Sequence, residues 1–281
     1  MNVQQKLALG MIRTKLNLLT IIDSRKAGEE AFKLFCTPVG KYTGIEHDVF
    51  KNAEALQFSI DGKMVKGYRC NHPRPHKVLI LHGFSSSCHN FQSYAEPLIR
   101  KDYEVLAFDA PAHGASEGTT INAIEYSQMI KKVIALYGPV HGFIAHSFGG
   151  IALCLALEEL PHDENTKVVL IAPATETSTA LENALRFVGI KNPALRKSLD
   201  DIIFKMSGKE TTWFSIRRAV KNLKAYILWI HDEDDDVTPL SDALKVKQDA
   251  PPNVQFDITK GLGHRRIYRD DTVISKTIKF L

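Results

Sequence analysis

About a fifth of the way along the chain, the pattern of apolar and polar positions changes. In the first part, apolar residues recur at mixed spacings of three and four over residues 3–22, which predicts an amphipathic helix whose only charges are Lys6, Arg13 and Lys15. A second helix is predicted over residues 24–35. The apolar positions of the first helix are Val3, Leu7, Met11, Ile12, Leu16, Leu19 and Ile22.

Short apolar runs separated by helical stretches follow. Asp61-Gly62 predicts a hairpin, since this pair readily adopts the positive φ angles of a tight turn. Buried strands are predicted at 78–81, 105–108, 143–145 and 168–171. Helical patterns lie between them at about 91–101, 121–137 and 148–160. Runs buried on both faces that alternate with helices indicate a parallel sheet covered on both sides.

After Pro173 a mostly helical segment interrupts this rhythm. It contains predicted helices at 181–188, 195–206 and 213–223, and strands then resume at 226–230 and 254–258, with a last helix near 270–281. The expected fold class is α/β, with a mostly parallel, twisted central sheet and helices on both faces. We expect an N-terminal helical extension at 1–54 and a sheet domain at 55–281 that carries a helical insertion at about 174–224.

Composition and charge narrow the function classes. With 281 residues, 44% apolar and 24% charged, the chain is an ordinary globular sequence. The net charge is only +4, and no run of Lys and Arg interleaved with aromatic residues suggests a nucleic-acid face, so nucleic acid is not an expected partner. Four scattered cysteines fit buried thiols in a reducing cytosol. The sequence shows no pattern of a signal peptide or a spanning helix, and we expect a cytoplasmic protein.

One serine lies at a predicted strand-to-helix turn. Ser147 follows the run at 143–145 and opens the next helical pattern. A serine on so sharp a turn needs small residues two positions before and after it, and Ala145 and Gly149 meet that condition. The expected pattern is G-x-S-x-G, from which Ala145 departs mildly. The alternative is a glycine-rich helix start with an ordinary N-terminal serine.

Acidic and histidine residues follow two later strands. A serine hydroxyl becomes a strong nucleophile when a base removes its proton, and that base needs a third group to orient it. The strand at 226–230 leads into an acidic loop at 232–236, and His264 follows the last strand. Both positions fall at strand ends, where sites of open parallel sheets are built.

Together these motifs resemble the α/β-hydrolase fold superfamily over nearly all of residues 55–281. The resemblance rests on the order and spacing of five segments: Leu81-His82-Gly83-Phe84, residues 109–116, the turn at Ser147, the acidic loop and the terminal histidine. It implies a soluble serine esterase with a nucleophile elbow, a catalytic triad, an oxyanion hole and a lid.

The resemblance also assigns roles to single residues. It implies that Ser147 is the nucleophile and that His264 is the base that later protonates the leaving group. The oxyanion formed during acyl transfer needs preorganised donors. By resemblance, these are the backbone N–H groups of Phe84 and Phe148.

The acid of the site is less sharply assigned. Aligning the acidic loop with the family pattern H-G-x-x-D-x-x-V-P puts the acid at Asp235. Asp232 occupies the glycine position of that pattern, which is a real departure. Asp234 and Asp236 therefore remain alternatives.

Other polar residues have simpler interpretations. His82 and His113 belong to family turns and are expected to organise loops by hydrogen bonding, and His146 is expected to pack or bond beside the serine. The acidic loop alternates carboxylates as a calcium loop does, but it lacks the glycine and the bidentate glutamate that such a loop needs. We expect no metal and no cofactor.

The insertion is expected to act as a lid. Residues 182–224 contain ten Lys or Arg against four Asp or Glu, which we interpret as a solvated face, with attraction to anionic substrates or a membrane as the alternative. Trp213, Phe214, Phe187 and Phe204 are expected to form an apolar underside that shapes the acyl pocket and excludes water.

The leading hypothesis is serine-dependent hydrolysis of a small-molecule carboxylic ester or related acyl bond through an acyl-enzyme. Thioesterase, carbon–carbon hydrolase, peptidase and acyltransferase activities remain open, as does a binding protein of the same fold that has lost turnover. Residues 1–22 are expected to dock on their own domain or on a second subunit. Peripheral membrane contact through them is the less favoured alternative.

Overall fold

The computed structural model describes residues 3–40 and 48–281, so residues 1–2 and 41–47 of the predicted N-terminal extension lie outside the described residues. One sheet contains eight strands: β1 Glu54–Ile60, β2 Lys63–Cys70, β3 Lys77–Leu81, β4 Glu104–Phe108, β5 Gly142–His146, β6 Lys167–Ile171, β7 Tyr226–Asp232 and β8 Val254–Thr259. Their spatial order is β1-β2-β4-β3-β5-β6-β7-β8. β2 is antiparallel to β1 and β4, and all other neighbours are parallel. The predicted fold class is confirmed.

The hairpin joins β1 and β2 at the predicted pair. Asp61 and Gly62 have φ angles of 48° and 73°, which match the right-handed twist of the flanking strands. The central strands are buried on both faces, and every residue of β4 and β5 is buried. The apolar runs within them, residues 105–108 and 143–145, therefore reflect helices packed on either side.

The helices occupy the stretches between strands. Their bounds are α1 Val3–Ile22, α2 Ser24–Phe35, α3 Asp48–Lys51, α4 Gln92–Arg100, α5 Ala123–Tyr137, α6 Phe148–Leu157, α7 Thr177–Val188, α8 Pro193–Ser207, α9 Ile216–Ala219, α10 Leu240–Gln248, α11 Gly263–Arg266 and α12 Asp271–Phe280. Shorter 3₁₀ turns lie at Cys88–Phe91, Thr211–Trp213, Val220–Asn222 and Ile267–Arg269. The sequence did not predict α3, α10 or α11.

The predicted helix over 213–223 forms only from Ile216 onward, where α9 and the 3₁₀ turn Val220–Asn222 cover residues 216–222. Phe214 has φ and ψ of −80° and 76°, outside the helical region, and Ser215 pairs with Glu176 in an isolated antiparallel bridge. The Ser215 hydroxyl also donates to the Glu176 carboxylate at 2.8 Å. The end of the insertion therefore pairs with its beginning, which interrupts the helix that the apolar spacing suggested.

The chain forms two compact units: unit 1 is Met1–Thr37 with Glu176–Ser215, and unit 2 is Pro38–Thr175 with Ile216–Leu281. Within unit 1, α2 packs closely on α8. A Cβ at Gly28 would lie 2.7 Å from the Cβ of Ser198, so only glycine allows this approach. Unit 2 contains the whole sheet and all the predicted site residues.

The four aromatic residues predicted to form the apolar underside of the insertion differ in exposure. Phe214 is buried, Trp213 is half-buried, and Phe187 and Phe204 are 66% and 49% exposed. On α8 the buried positions include Leu199 and Ile203, four residues apart, and Phe204 lies about 100° further round the helix. The apolar underside itself stays a prediction. Within the described residues, no helix combines the length and the apolar character needed to span a bilayer.

Candidate active site

The predicted site residues lie at the carboxyl ends of neighbouring parallel strands. Ser147 follows β5, the acidic loop follows β7, and His264 lies in α11, shortly after β8. Since β5, β6, β7 and β8 are adjacent in the sheet, their ends converge at one edge. The loops that leave this edge bring together side chains that are far apart in the sequence.

The backbone at Ser147 is strained. Its φ of 52° and ψ of −118° lie outside the regions that a non-glycine residue prefers. Three backbone hydrogen bonds hold it: the Ser147 N–H donates to Ile171 O at 3.1 Å, and Ser147 O accepts the N–H groups of Gly150 at 2.9 Å and Ala174 at 3.0 Å. This turn projects the serine hydroxyl at the start of α6.

Close packing explains why the residue two positions after Ser147, Gly149, is small. A Cβ at Gly149 would lie 2.8 Å from His82 O and 2.9 Å from Leu81 O, both backbone atoms at the end of β3. A larger residue would push α6 away from the sheet. Gly149 therefore fixes how closely the helix behind the serine approaches the strand beside it.

Three side chains form a hydrogen-bonded chain. The Ser147 Oγ and His264 Nε2 are 3.0 Å apart, and the His264 Nδ1 lies 2.8 Å from Asp235 Oδ2. All three residues are buried, with 7%, 7% and 9% of their surface exposed in the order Ser147, His264, Asp235. With Nδ1–H donating to the carboxylate, Nε2 is left to accept the serine proton.

Asp235 is the only member of residues 232–236 whose carboxylate contacts the His264 ring. Its Oδ1 accepts the N–H groups of Val237 and Thr238 at 2.9 and 2.8 Å. Burial alone would raise the pKa of Asp235, but the hydrogen bond from His264, the histidine's charge and the backbone N–H groups outweigh it and lower the pKa below its ordinary value. The carboxylate is therefore ionised at neutral pH.

The two alternatives for the acid lie elsewhere. The Asp234 carboxylate accepts the Gly261 N–H at 3.0 Å, and Asp236 is exposed to solvent. Neither contacts the ring of His264.

Asp232 has a different position that the sequence did not reveal. One of its oxygens accepts the N–H groups of Asp234 at 3.0 Å and Gly263 at 2.8 Å. The other accepts the Thr259 hydroxyl at 2.7 Å and the Leu262 N–H at 3.2 Å. Burial opposes ionisation, but these donors outweigh it and lower the pKa of Asp232. Its carboxylate therefore ties the end of β7 to the backbone that immediately precedes His264.

Thr238 is a second residue that sequence reasoning missed. Its hydroxyl lies 2.9 Å from Asp235 Oδ2, 3.2 Å from Ala172 O and 3.1 Å from His264 Nδ1. The hydroxyl can donate to the carboxylate or to Ala172 O, and it packs against the ring nitrogen that faces the acid. Its signal in the sequence is only its position three residues after Asp235.

His146 packs beside the site. Its ring lies 4.9 Å from that of His264 and 4.5 Å from that of Tyr268, measured between centroids, and its Nε2 donates to His264 O at 3.2 Å. Burial and the neighbouring His264 lower the pKa of His146 to about 3, so it is neutral at physiological pH. The expectation that it packs and bonds beside the serine is confirmed.

His82 and His113 organise the loops opposite the serine. His82 Nδ1 donates to Gly83 O at 2.7 Å, and its Nε2 accepts the Ala110 N–H at 2.9 Å. His113 Nε2 accepts the Ser85 N–H at 2.9 Å. These bonds occupy both nitrogens of His82 and confirm a loop-organising role.

The two amides proposed for an oxyanion hole lie in neighbouring segments. Phe84 is in the loop after β3, and Phe148 is the first residue of α6, where the helix N-terminus favours negative charge. Their rings meet edge to face with centroids 5.5 Å apart. Across residues 3–40 and 48–281, no backbone or side-chain acceptor is hydrogen-bonded to either amide. In the same residues, no cluster of three or more His, Cys, Asp or Glu could hold a metal ion.

The sheet order, the strained serine turn and the late histidine define a member of the α/β-hydrolase superfamily. A family model described as serine aminopeptidase, S33, matches residues 72–215, just over half of the 281 residues. The chain therefore belongs to this family.

Curated relatives match over limited stretches. The uncharacterized hydrolase YugF of Bacillus subtilis (strain 168) is 31% identical over 120 residues, which are 41% of this chain and 43% of that protein. The 2-succinyl-6-hydroxy-2,4-cyclohexadiene-1-carboxylate synthase of Escherichia fergusonii is 29% identical over 87 residues, 30% of this chain and 34% of that protein. The match thus spans less than half the length of either relative.

Solved structures share the fold over most of the chain. The esterase Pf2001 of Pyrococcus furiosus has a TM-score of 0.65 and 18% identity, with 88% of this chain and 97% of that chain covered. Est1E of Butyrivibrio proteoclasticus, solved with ferulic acid bound, has a TM-score of 0.62 and 16% identity, with 80% and 97% covered. At these identities the similarity is one of fold.

Proposed function

We propose that this protein is a serine hydrolase that cleaves a small-molecule carboxylic ester, or a closely related acyl bond, through an acyl-enzyme. The observation that carries the proposal is the chain of two hydrogen bonds, 3.0 Å from Ser147 Oγ to His264 Nε2 and 2.8 Å from His264 Nδ1 to Asp235 Oδ2. The esterase Pf2001 among the structural neighbours supports esters as the first substrates to test.

In the first half-reaction, Ser147 Oγ attacks the carbonyl carbon while His264 Nε2 takes the hydroxyl proton. The Asp235 carboxylate holds the His264 Nδ1–H tautomer and stabilises the imidazolium that forms. The carbonyl oxygen becomes negative and accepts hydrogen bonds from the N–H groups of Phe84 and Phe148. When the tetrahedral intermediate collapses, the alcohol leaves with the proton from His264 Nε2.

In the second half-reaction, a water molecule replaces the alcohol. His264 Nε2 takes a proton from the water as its oxygen attacks the acyl carbon, and the same two amides stabilise the oxyanion. Collapse breaks the bond to Ser147 Oγ, which recovers its proton from His264. The products are a carboxylic acid and the free enzyme.

The buried state of the cysteines bears on the proposed compartment. Cys70, Cys88 and Cys154 are buried free thiols, and Cys36 is also buried. Free thiols are typical of reducing compartments, and this supports the proposal that the protein works in the cytoplasm.

Two assays test the proposed hydrolase on the full chain. A fluorophosphonate probe should label the wild type and the exposed-serine control Ser241→Ala, but not Ser147→Ala. A series of p-nitrophenyl esters of increasing acyl length should be hydrolysed by the same two proteins, with kcat reduced at least about 10⁴-fold in Ser147→Ala. Labelling that persists in Ser147→Ala, or folded wild type that neither labels nor turns over, would reject the proposal and favour a binding protein of the same fold.

A further inference from the structure

A solvent-exposed apolar stripe runs along α1. Its members are Leu7, Met11, Leu18, Ile21 and Ile22, which are 57% to 82% exposed. With 100° between successive helix residues, these five positions fall within about 100° of the helix circumference. Leu16 and Thr20, on the opposite side, are buried. We call these five residues the α1 stripe.

Unit 1 as a whole carries most of the exposed apolar side chains. Of fourteen large hydrophobic residues exposed among those the structure describes, nine belong to unit 1, which is little more than a quarter of the chain. Besides the α1 stripe, they are Leu34, Phe187, Phe204 and Met206. Concentrated apolar exposure of this kind marks a surface that another molecule or a membrane covers.

The net charge lies in the same unit. Unit 1 has 12 Lys and Arg against 8 Asp and Glu, whereas unit 2 has 24 of each, so the whole +4 belongs to unit 1. The α1 helix has no acidic residue and carries Lys6, Arg13 and Lys15. Lys15 pairs with Glu30, but within the described part of the chain no carboxylate lies within 4.0 Å of the charged groups of Lys6 or Arg13.

We propose that the α1 stripe lies flat on an anionic lipid surface, to which the exposed cations of Lys6 and Arg13 add long-range attraction. An apolar stripe on a helix whose only charges are basic is the pattern of interfacial helices, and anionic headgroups attract such cations. A second copy of the chain would instead bring the same positive unit against the first. Charge complementarity therefore favours the lipid, and this inference does not depend on the proposed catalytic function.

Vesicle flotation of the full chain tests this surface. We expect the protein to float with vesicles of equal phosphatidylcholine and phosphatidylglycerol, to bind pure phosphatidylcholine vesicles at least about tenfold more weakly, and to lose binding as salt is raised. Wild type that stays unbound with both compositions, or that binds both equally, would overturn the proposal.

Matched variants locate the surface. Met11→Glu with Leu18→Glu should reduce binding to the anionic vesicles more than about tenfold, and Lys6→Gln with Arg13→Gln should reduce it about tenfold. Leu136→Glu with Leu244→Glu makes the same apolar-to-acidic change at exposed sites of unit 2 and should bind like wild type. Circular dichroism checks that each variant is folded, and binding that is unchanged in the folded α1 variants contradicts the proposal.

Sedimentation velocity without lipid tests the alternative that a second copy of the chain covers the α1 stripe. The proposal predicts the same sedimentation coefficient for wild type and Met11→Glu with Leu18→Glu. A wild-type dimer that this variant converts to monomers would instead show that a second copy covers the α1 stripe, and would overturn the proposal.

Discussion

The serine turn, residues 145–149, and the acidic loop, residues 232–236, meet at one edge of the sheet but are held by different forces. Around Ser147, backbone strain and steric closeness dominate: φ is 52°, and Gly149 has no room for a Cβ. In the acidic loop, two buried carboxylates collect hydrogen bonds from backbone and side-chain donors. The steric requirement at the serine turn can be recognised from a short sequence motif. The hydrogen bonds of the acidic loop join residues far apart in the chain, such as Asp232 and Gly263.

The largest expected effect comes from neutralising the acid of the loop. Asp235→Asn keeps an oxygen for the N–H groups of Val237 and Thr238 but can no longer hold the Nδ1–H tautomer of His264. We expect kcat for a p-nitrophenyl ester to fall about 10⁴-fold with little change in fold. Asp236→Asn, at an exposed neighbouring position, should keep wild-type kcat, and a similar loss in both variants would contradict the assignment.

A smaller effect is expected at the carboxylate that holds the histidine backbone. Asp232→Asn replaces one accepting oxygen by an NH₂ group that faces the N–H of Leu262 or the hydroxyl of Thr259. We expect a loss of about 1.5–3 kcal/mol in the free energy of unfolding and about a tenfold lower kcat/KM, measured by urea denaturation and ester hydrolysis. The control is Asp257→Asn. Asp257 pairs with the exposed Lys276 and is itself partly exposed, whereas Asp232 is fully buried. Equal effects of the two substitutions would argue against a special role for Asp232.

Acid should remove the stabilisation that the ionised Asp232 carboxylate gives the folded state. The folded pKa of Asp232 lies below its ordinary value of 3.8, so the stabilisation is complete above that value and is lost as the pH falls through the lowered pKa. The urea midpoint of wild type should therefore fall more between pH 7 and pH 3 than that of Asp232→Asn. Parallel falls in the two proteins would show that the Asp232 carboxylate does not contribute in this way.

The steric side of the comparison is tested at Gly149. Gly149→Ala places a Cβ within 2.8 Å of His82 O, a backbone atom that cannot move without shifting β3. We expect a loss of about 1–2 kcal/mol in the free energy of unfolding, despite the higher helix propensity of alanine. Gly10→Ala, with no atom within 4 Å of the new Cβ, should be neutral or stabilising. If the two variants had the same urea midpoint, close packing would not be what fixes the serine turn.

The smallest effect is expected for Thr238→Val, which removes one hydroxyl beside Asp235 and His264 and keeps the side-chain shape. We expect kcat/KM to fall only about two- to tenfold, because the N–H groups of Val237 and Thr238 and the His264 ring still hold the Asp235 carboxylate. Thr272→Val, near the start of α12, serves as the control in the same ester assay. A fall of 10³-fold or more in Thr238→Val would place the hydroxyl in the chemistry itself.

The sequence predicted most of the sheet because its signals are local. Runs buried on both faces, such as those of β4 and β5, look alike wherever they occur, and Asp61-Gly62 marks the hairpin without reference to distant residues. The predicted helix over 213–223 starts late for the opposite reason, since Ser215 pairs with Glu176, which lies far earlier in the chain.

The candidate site divides in the same way. The motif around Ser147 marked the turn, whereas the choice among the carboxylates of the acidic loop depends on which of them meets His264, a residue 29 positions beyond Asp235. In the sequence, Asp232 appeared only as a departure from a glycine pattern. Its role could not be predicted because its partners, Thr259, Leu262 and Gly263, lie on the next strand and in the turn after it.

Hydrogen bonds join Asp232, at the end of β7, to the turn after β8 that precedes His264, so displacement of β8 would also displace the histidine. If thermal motion separated β8 from β7, the imidazole would leave its place at the same moment, since one carboxylate anchors both. Partial unfolding at this edge should therefore abolish activity while the serine turn stays folded. Heat inactivation would then precede the unfolding of the remaining strands.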